Sequence, residues 1–205
     1  MNYIKIETED VCNGDGLRVV LWLSGCSHHC YNCQNPQTWN PESGIPFDES
    51  AKEELFRELD KDYISGLTLT GGDPLHEANL GEVLEIVTEF NKKYKNQNLD
   101  SANPCKMGVS EVENSEKIRV LFPEKTIWLY SGFTWEQIFN DGAYVSKDAP
   151  GLKRRNIVKQ CDVMVDGRYI DSQRNVSAKW RGSDNQRVIS VQESLKQNKV
   201  ILYCE

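Results

Sequence analysis

With 205 residues the chain is long enough for one domain with a substantial core. Its formal charge of −7, from 24 Lys and Arg against 31 Asp and Glu, argues against nucleic acid as a partner, which calls for a strongly basic face. The opening "MNYIKIETED" is acidic and lacks the apolar core of a signal peptide, and the densest apolar run, "VVLWL", is far too short to cross a bilayer. A cytoplasmic protein with no membrane partner is expected.

Residues 17–24, "LRVVLWLS", read as a buried strand, short, apolar and β-branched, that ends at Gly25. A cysteine-rich loop follows and runs on through "NPESGIPF". Asp48 is placed to cap a helix over "ESAKEELFRELDKD", where Leu55, Phe56 and Leu59 share a face. "ISGLTLT" is a second strand, stopped by Gly71 and Gly72. A second amphipathic helix spans about 80–94, with Val83, Leu84, Ile86, Val87 and Phe90 apolar. Residues 95–123 are polar and turn-rich, as in an insertion or a long surface loop. Then "KTIWLYS" is a strand, "TWEQIFN" a short helix and "CDVMVDG" a further strand. After the polar "RYIDSQRNVSAKWRGSDNQR" come two short β-like runs, "VISV" and "KVILYC".

Apolar strands alternating with helices predict an α/β fold, a mainly parallel sheet covered by helices. Functional loops of such folds gather beyond the carboxyl ends of the strands. The cysteine loop, residues 71–74, Ser131 with Gly132, and residues 166–169 each leave a predicted strand end, so the four should surround one site.

Three of the seven cysteines, Cys26, Cys30 and Cys33, sit in "GCSHHCYNC". The other four, Cys12, Cys105, Cys161 and Cys204, are scattered and read as buried or idle thiols. Clustered thiols in a reducing compartment bind metal or do redox work. Zinc needs a fourth ligand, which His28, His29 or Cys12 would have to supply, and the two histidines lie awkwardly inside the same short loop. A cubane iron–sulfur cluster tolerates three thiolates, because its fourth iron can take an external ligand. In "TLTGGDPL" the two glycines let a ligand approach the backbone, and the Asp73 carboxylate is a candidate partner for an ammonium group. His76 reads as a surface or structural residue.

"NGDGLRVVLWLSGCSHHCYNCQNPQTW", "GLTLTGGDPL", "IWLYSGFTWE", "VMVDGRY" and "WRGSDNQR" together resemble, in content and order, the activating enzymes of anaerobic (class III) ribonucleotide reductase. These belong to the glycyl-radical-activase branch of the radical S-adenosylmethionine superfamily. The resemblance covers residues 1 to about 187, apart from 95–123. It implies a single domain, a partial (open) β/α barrel of the radical S-adenosylmethionine type, with an insertion at 95–123 and a C-terminal extension at 188–205.

It also implies that Cys26, Cys30 and Cys33 ligate one 4Fe-4S cluster and that S-adenosylmethionine occupies the open iron. Gly71, Gly72 and Asp73 match the segment that receives the methionine end. Asn32 and Gln34 match positions near the cofactor, and Arg168, Tyr169 and Ile170 match another cofactor-lining stretch. The implied activity is oxidoreductive: cleavage of S-adenosylmethionine to a 5′-deoxyadenosyl radical, which takes hydrogen from a glycine of the reductase. An electron donor such as a flavodoxin is a further implied partner, and no acid–base pair is required.

Two other readings stand beside this one. An activase of another glycyl-radical enzyme, such as pyruvate formate-lyase, commonly has "GGE" where this chain has Asp73. A non-enzymatic zinc-binding interaction module lacks a convincing fourth ligand here. Cys12 and Asp15 depart from the pattern, and Cys12 is close enough in sequence to be an extra thiol at the site. Asp184 and Arg187 suit either a partner contact or a brace for the core.

Overall fold

A computed structural model describes residues 1–95, 124–139 and 150–204. Beyond Lys95, the predicted insertion lies outside the described residues, as does Cys105. The strands are β1 (Asn2–Asp10), β2 (Arg18–Leu23), β3 (Ile45–Pro46), β4 (Gly66–Gly71), β5 (Thr126–Tyr130), β6 (Val163–Asp166) and β7 (Arg187–Ser190). The helices are α1 (Glu49–Leu59), α2 (Leu80–Tyr94), α3 (Trp135–Phe139), α4 (Pro150–Lys159) and α5 (Val191–Gln197). Among the described residues the strands make one open seven-stranded sheet in the order β3-β1-β2-β4-β5-β6-β7.

The parallel centre is β2-β4-β5-β6, with Arg18 opposite Gly66 and Gly66 opposite Thr126. Helical crossovers between these strands enforce the parallel direction. The flanks are antiparallel: β1 on β2, β3 on β1, and β7 on β6. Strand β1 was not foreseen, because in "NYIKIETED" only Tyr3 is fully buried and the alternation is weak. Helix α4 carries Lys153, Arg154, Arg155 and Lys159 around two buried residues, Ile157 and Val158, too narrow a stripe to read from sequence. The run at 199–204 contributes only the bridge from Leu202 to Ile189, and the residues between the two β-like runs form α5. The segment after Arg187 is thus built into the sheet.

Asp48 caps α1 as the sequence predicts, its carboxylate accepting from the Ala51 N–H at 3.0 Å. The α2 boundaries also match. Side chains alternate across the sheet, so each strand divides between two environments. Val19, Leu21 and Leu23, Leu67 and Leu69, and Ile127 and Leu129 pack beneath the helices in the main core. The opposite face bears Trp128, Val163, Val165 and Val188 in a smaller cluster. Helices therefore cover one face, while loops and a cleft occupy the other. No helix among the described residues is long and apolar enough to cross a membrane.

That second face buries a cation. Arg18 is fully buried and donates to Thr68 Oγ1 (2.7 Å), the Leu67 carbonyl (2.7 Å) and the Thr126 carbonyl (2.8 Å). It also reaches the Asp15 carbonyl and Thr126 Oγ1, both at 3.1 Å, and lies over the Trp128 ring. At the sheet edge Arg187 donates through Nε to Asp166 (3.0 Å) and through Nη1 and Nη2 to Glu136 (3.0 and 2.8 Å). These bonds tie β7 to β6 and α3, and the Arg187 guanidinium holds the Glu136 carboxyl below its ordinary range. Arg187 is thus a brace. Asp184 accepts from the Asn175 amide at 2.7 Å and holds its own loop.

Candidate functional site

The cysteine loop leaves β2 and is closed at its base by backbone bonds. Gly25 N–H donates to the Thr38 carbonyl (2.7 Å) and Cys26 N–H to the Trp39 carbonyl (3.0 Å). At the tip, Cys33 N–H donates to the Cys30 carbonyl (3.1 Å). His29 and Asn32 adopt left-handed backbone angles, φ 46° and 54°, which a tight loop demands and Asn tolerates well. All three thiols are free and half-buried. Burial pushes the Cys26 thiol up to about 11. The Asn35 N–H donates to Cys33 Sγ at 3.4 Å.

The turn after β4 lies against the base of that loop. Gly72 N–H donates to the Leu23 carbonyl (2.7 Å) and Asp73 N–H to the Gly25 carbonyl (2.8 Å). A Cβ at Gly71 would fall 2.7 Å from the Leu23 nitrogen, and one at Gly72 would fall 2.5 Å from the Gly25 oxygen. Both glycines are therefore required by backbone-to-backbone packing, whatever ligand approaches them.

Asp73 lines the cleft but is only 1% exposed. Its carboxylate accepts from the Leu75 N–H (2.8 Å), the Ser131 hydroxyl (2.9 and 3.0 Å) and the Gly132 N–H (3.0 Å). His28 Nε2 completes the set at 2.8 Å, and the His28 ring packs edge-on against Phe133. One carboxylate thus ties the cysteine loop to the loops after β4 and β5. An amide in its place would turn an NH2 group toward these donors, so Asp73→Asn is expected to cost about 2 kcal/mol, read as a lower urea midpoint with an unchanged slope.

The loop after β6 joins from the other side. Arg168 donates to the His28 carbonyl, and Asn32 donates to Asp171 at 3.2 Å. Tyr169 donates its hydroxyl to the same aspartate at 2.8 Å. The four strand-end loops therefore surround one cleft of about 510 Å³, as the strand order predicts. Cys26, Cys30, Cys33 and Gln34 line it, together with the turn from Gly71 to Asp73 and with Arg168 and Tyr169. Asn32 stands off the cleft with its amide turned to Asp171, and Ile170 lies in a neighbouring hollow with Cys30 and Tyr31.

Cys12, offered by its place in the sequence as an extra thiol at the site, is exposed and lines the cleft, whereas Cys161 is buried elsewhere in the core. The lining residues that escaped the sequence reading are Trp39, Tyr130, Trp180 and Arg181. The last two arrive because their loop folds back through a bridge between Arg174 and Ser183, which no local pattern announces. His76 is a helix cap, its Nδ1 accepting from Ala78 N–H at 3.3 Å.

Among the described residues no three His, Cys, Asp or Glu side chains converge closely enough to hold a metal ion as they stand. The donor set nevertheless suits iron and sulfur: three soft thiols on one loop, facing one cleft. His28 is committed to Asp73, and His29 packs edge-on against Trp39, so neither readily completes a zinc tetrahedron.

The sequence matches the profile of the family described as "4Fe-4S single cluster domain" over residues 12–106 and 107–189. The class is thus that of single-cluster iron–sulfur proteins. An anaerobic ribonucleoside-triphosphate reductase-activating protein from Enterobacteria phage T4 is 36% identical over 93% of this chain and 94% of its own length. Its namesakes from Pasteurella multocida (strain Pm70) and Escherichia coli (strain K12) are 32% and 29% identical, over 91% and 92% of this chain and 95% and 97% of theirs. The chain belongs to the family of anaerobic ribonucleoside-triphosphate reductase-activating proteins.

Proposed function

We propose that this chain activates an anaerobic ribonucleoside-triphosphate reductase by reductive cleavage of S-adenosylmethionine, with one 4Fe-4S cluster held by Cys26, Cys30 and Cys33. The supporting observation is that these thiols share a single cleft with the loops leaving β4, β5 and β6. On this reading the open sheet is an incomplete β/α barrel of the radical S-adenosylmethionine type. A cluster held by Cys26, Cys30 and Cys33 would supply the one electron needed to break the sulfur–C5′ bond of S-adenosylmethionine, with methionine as the leaving group and a 5′-deoxyadenosyl radical that would take a hydrogen atom from a glycine Cα of the reductase.

The protein's own residues hold, orient and shield. The turn from Gly71 to Asp73 offers main-chain carbonyls to the ammonium group, while the Asp73 side chain keeps three loops in register. Gln34, Arg168 and Tyr169 line the nucleoside's seat, with Asn32 and Ile170 behind them. A primary alkyl radical attacks most C–H bonds, so close positioning does the work that acid–base groups do in other enzymes. An electron donor of the flavodoxin type would feed the cluster.

The test is anaerobic reconstitution with iron and sulfide, followed by a strong reductant and S-adenosylmethionine. Equal release of methionine and 5′-deoxyadenosine, with a glycyl EPR doublet on added reductase, is the expected result. A protein that takes up one zinc and no iron would overturn the proposal.

A further inference from the structure

We propose that an acidic protein carrying a one-electron redox group docks over the outer hollow beside the cysteine loop and delivers its electron past Cys30. This rests on the proposed function and deepens it, giving the electron donor a place on the surface.

The observation that carries it is a shared wall. Cys30, Arg168 and Tyr169 line both the strand-end cleft and a second hollow, completed by Tyr31, Ile170, Asp171 and Ser172. None of those last four lines the cleft, and neither Cys26 nor Cys33 lines the hollow. Of the three clustered thiols, Cys30 alone therefore borders both spaces. On the proposed function, S-adenosylmethionine and a segment of the reductase fill the cleft when the electron is needed. A donor entering by the cleft would have to displace them. Electron transfer weakens steeply with distance, so a second approach must still pass close to a cluster ligand. The hollow meets that condition.

Its surface suits a brief contact between redox proteins, which bury little area. Tyr31 and Ile170, 77% and 39% exposed, are two large apolar side chains that a docked protein would cover. Charge names the kind of partner. The segment that builds much of the hollow, residues 168–181, holds Arg168, Arg174, Lys179 and Arg181 against a single acid, Asp171. None of the four cations is in an ion pair among the described residues. Arg168 donates to a neutral carbonyl, that of His28, and keeps its charge. Asp171 already accepts from Tyr169 at 2.8 Å and from Asn32 at 3.2 Å. In a chain of net charge −7, this is a local reversal of sign, which steers an acidic partner to one place and hastens its arrival. One electron leaves the donor's redox group and one enters the cluster; no bond forms or breaks between the two proteins.

The experiment uses reconstituted full-length protein, a flavodoxin as the probe donor, and the variants Tyr31→Ser and Ser172→Glu. Both positions are exposed, and both line the hollow and not the cleft. Calorimetry with oxidised flavodoxin should show binding weakened about tenfold in each variant. Bleaching of the cluster absorbance by reduced flavodoxin should slow by a similar factor, and for the wild type it should slow several-fold between roughly 0.05 and 0.3 M salt. With dithionite, a small reductant that needs no docking, 5′-deoxyadenosine release and the KM for the reductase should stay within about twofold of wild type. If Tyr31→Ser disturbs its loop and loses iron, Ser172→Glu on a separate loop decides. Unchanged binding and reduction in the variants would overturn the inference, as would salt-independent reduction of the wild type, with the proposed function intact. A raised KM for the reductase under dithionite would assign the hollow to the reductase and overturn it too. If the wild-type protein releases no 5′-deoxyadenosine even with dithionite, the proposed function falls as well.

Discussion

Replacing Cys30 with alanine is expected to lower bound iron after reconstitution from about four atoms per chain to less than one, with cleavage of S-adenosylmethionine falling at least about a hundredfold. Cys30 is the best of the three thiols for this test. Cys26 stands at the hydrogen-bonded stem, and Cys33 accepts from the Asn35 N–H, so either change also disturbs the loop. The Cys30 thiol has no such described role; it is half-buried and faces the cleft. Its removal should leave the thermal midpoint within about 2 °C, since substitutions away from buried networks change stability by less than ~0.5 kcal/mol. Iron content by colorimetric assay and absorbance near the iron–sulfur charge-transfer bands decide it. A variant that keeps full iron and full activity would show that the loop has been misread.

Arg18→Leu is the second substitution with a large expected effect, a loss of about 3–4 kcal/mol in urea unfolding. Burial pushes the Arg18 guanidinium down to about 10, still well above neutrality, so the group is a cation inside the sheet. It is held by carbonyls and hydroxyls, with no carboxylate in an ion pair among the described residues. Leucine fills much of the volume but strands the carbonyl oxygens of Asp15, Leu67 and Thr126. Lysine should recover little, because a single ammonium cannot reproduce a planar fork directed at β4, β5 and the preceding loop. A loss below about 1 kcal/mol would mean that other polar groups take over these acceptors.

What could be read from the sequence, and what could not, divides along physical lines. Short β-branched runs stopped by glycine located β2, β4, β5 and β6, because buried parallel strands leave a continuous apolar signature. Their shared direction in turn implies the meeting of four loops. Edge elements escaped. Strand β1 is mostly half-exposed, and α5 buries only Val191 and Ser194, so neither writes a strong period.

The cleft was legible where local spacing places its lining, as with Cys26, Cys30 and Cys33. It was illegible where the lining depends on long-range return of the chain. Trp180 and Arg181 reach the cleft only because their loop folds back across the sheet. The role of Arg18 was also hidden, since a lone arginine in an apolar strand gives no sign of the acceptors that await it. Asp73 was singled out for the right neighbourhood, yet its carboxylate proves to be a knot between loops.

Among the described residues the sheet stops at seven strands, its outermost members a two-residue β3 on one side and a four-residue β7 on the other. A cylinder closed all round would admit only what can pass through its mouth, and a folded polypeptide could never thread it. An unfinished wall has a side entrance. A large protein can push one protruding hairpin or tail through such a gap, have it altered and withdraw with the rest of its structure undisturbed. On the proposed reading, that open side is what lets a catalyst of this size serve a client much bulkier than its own interior.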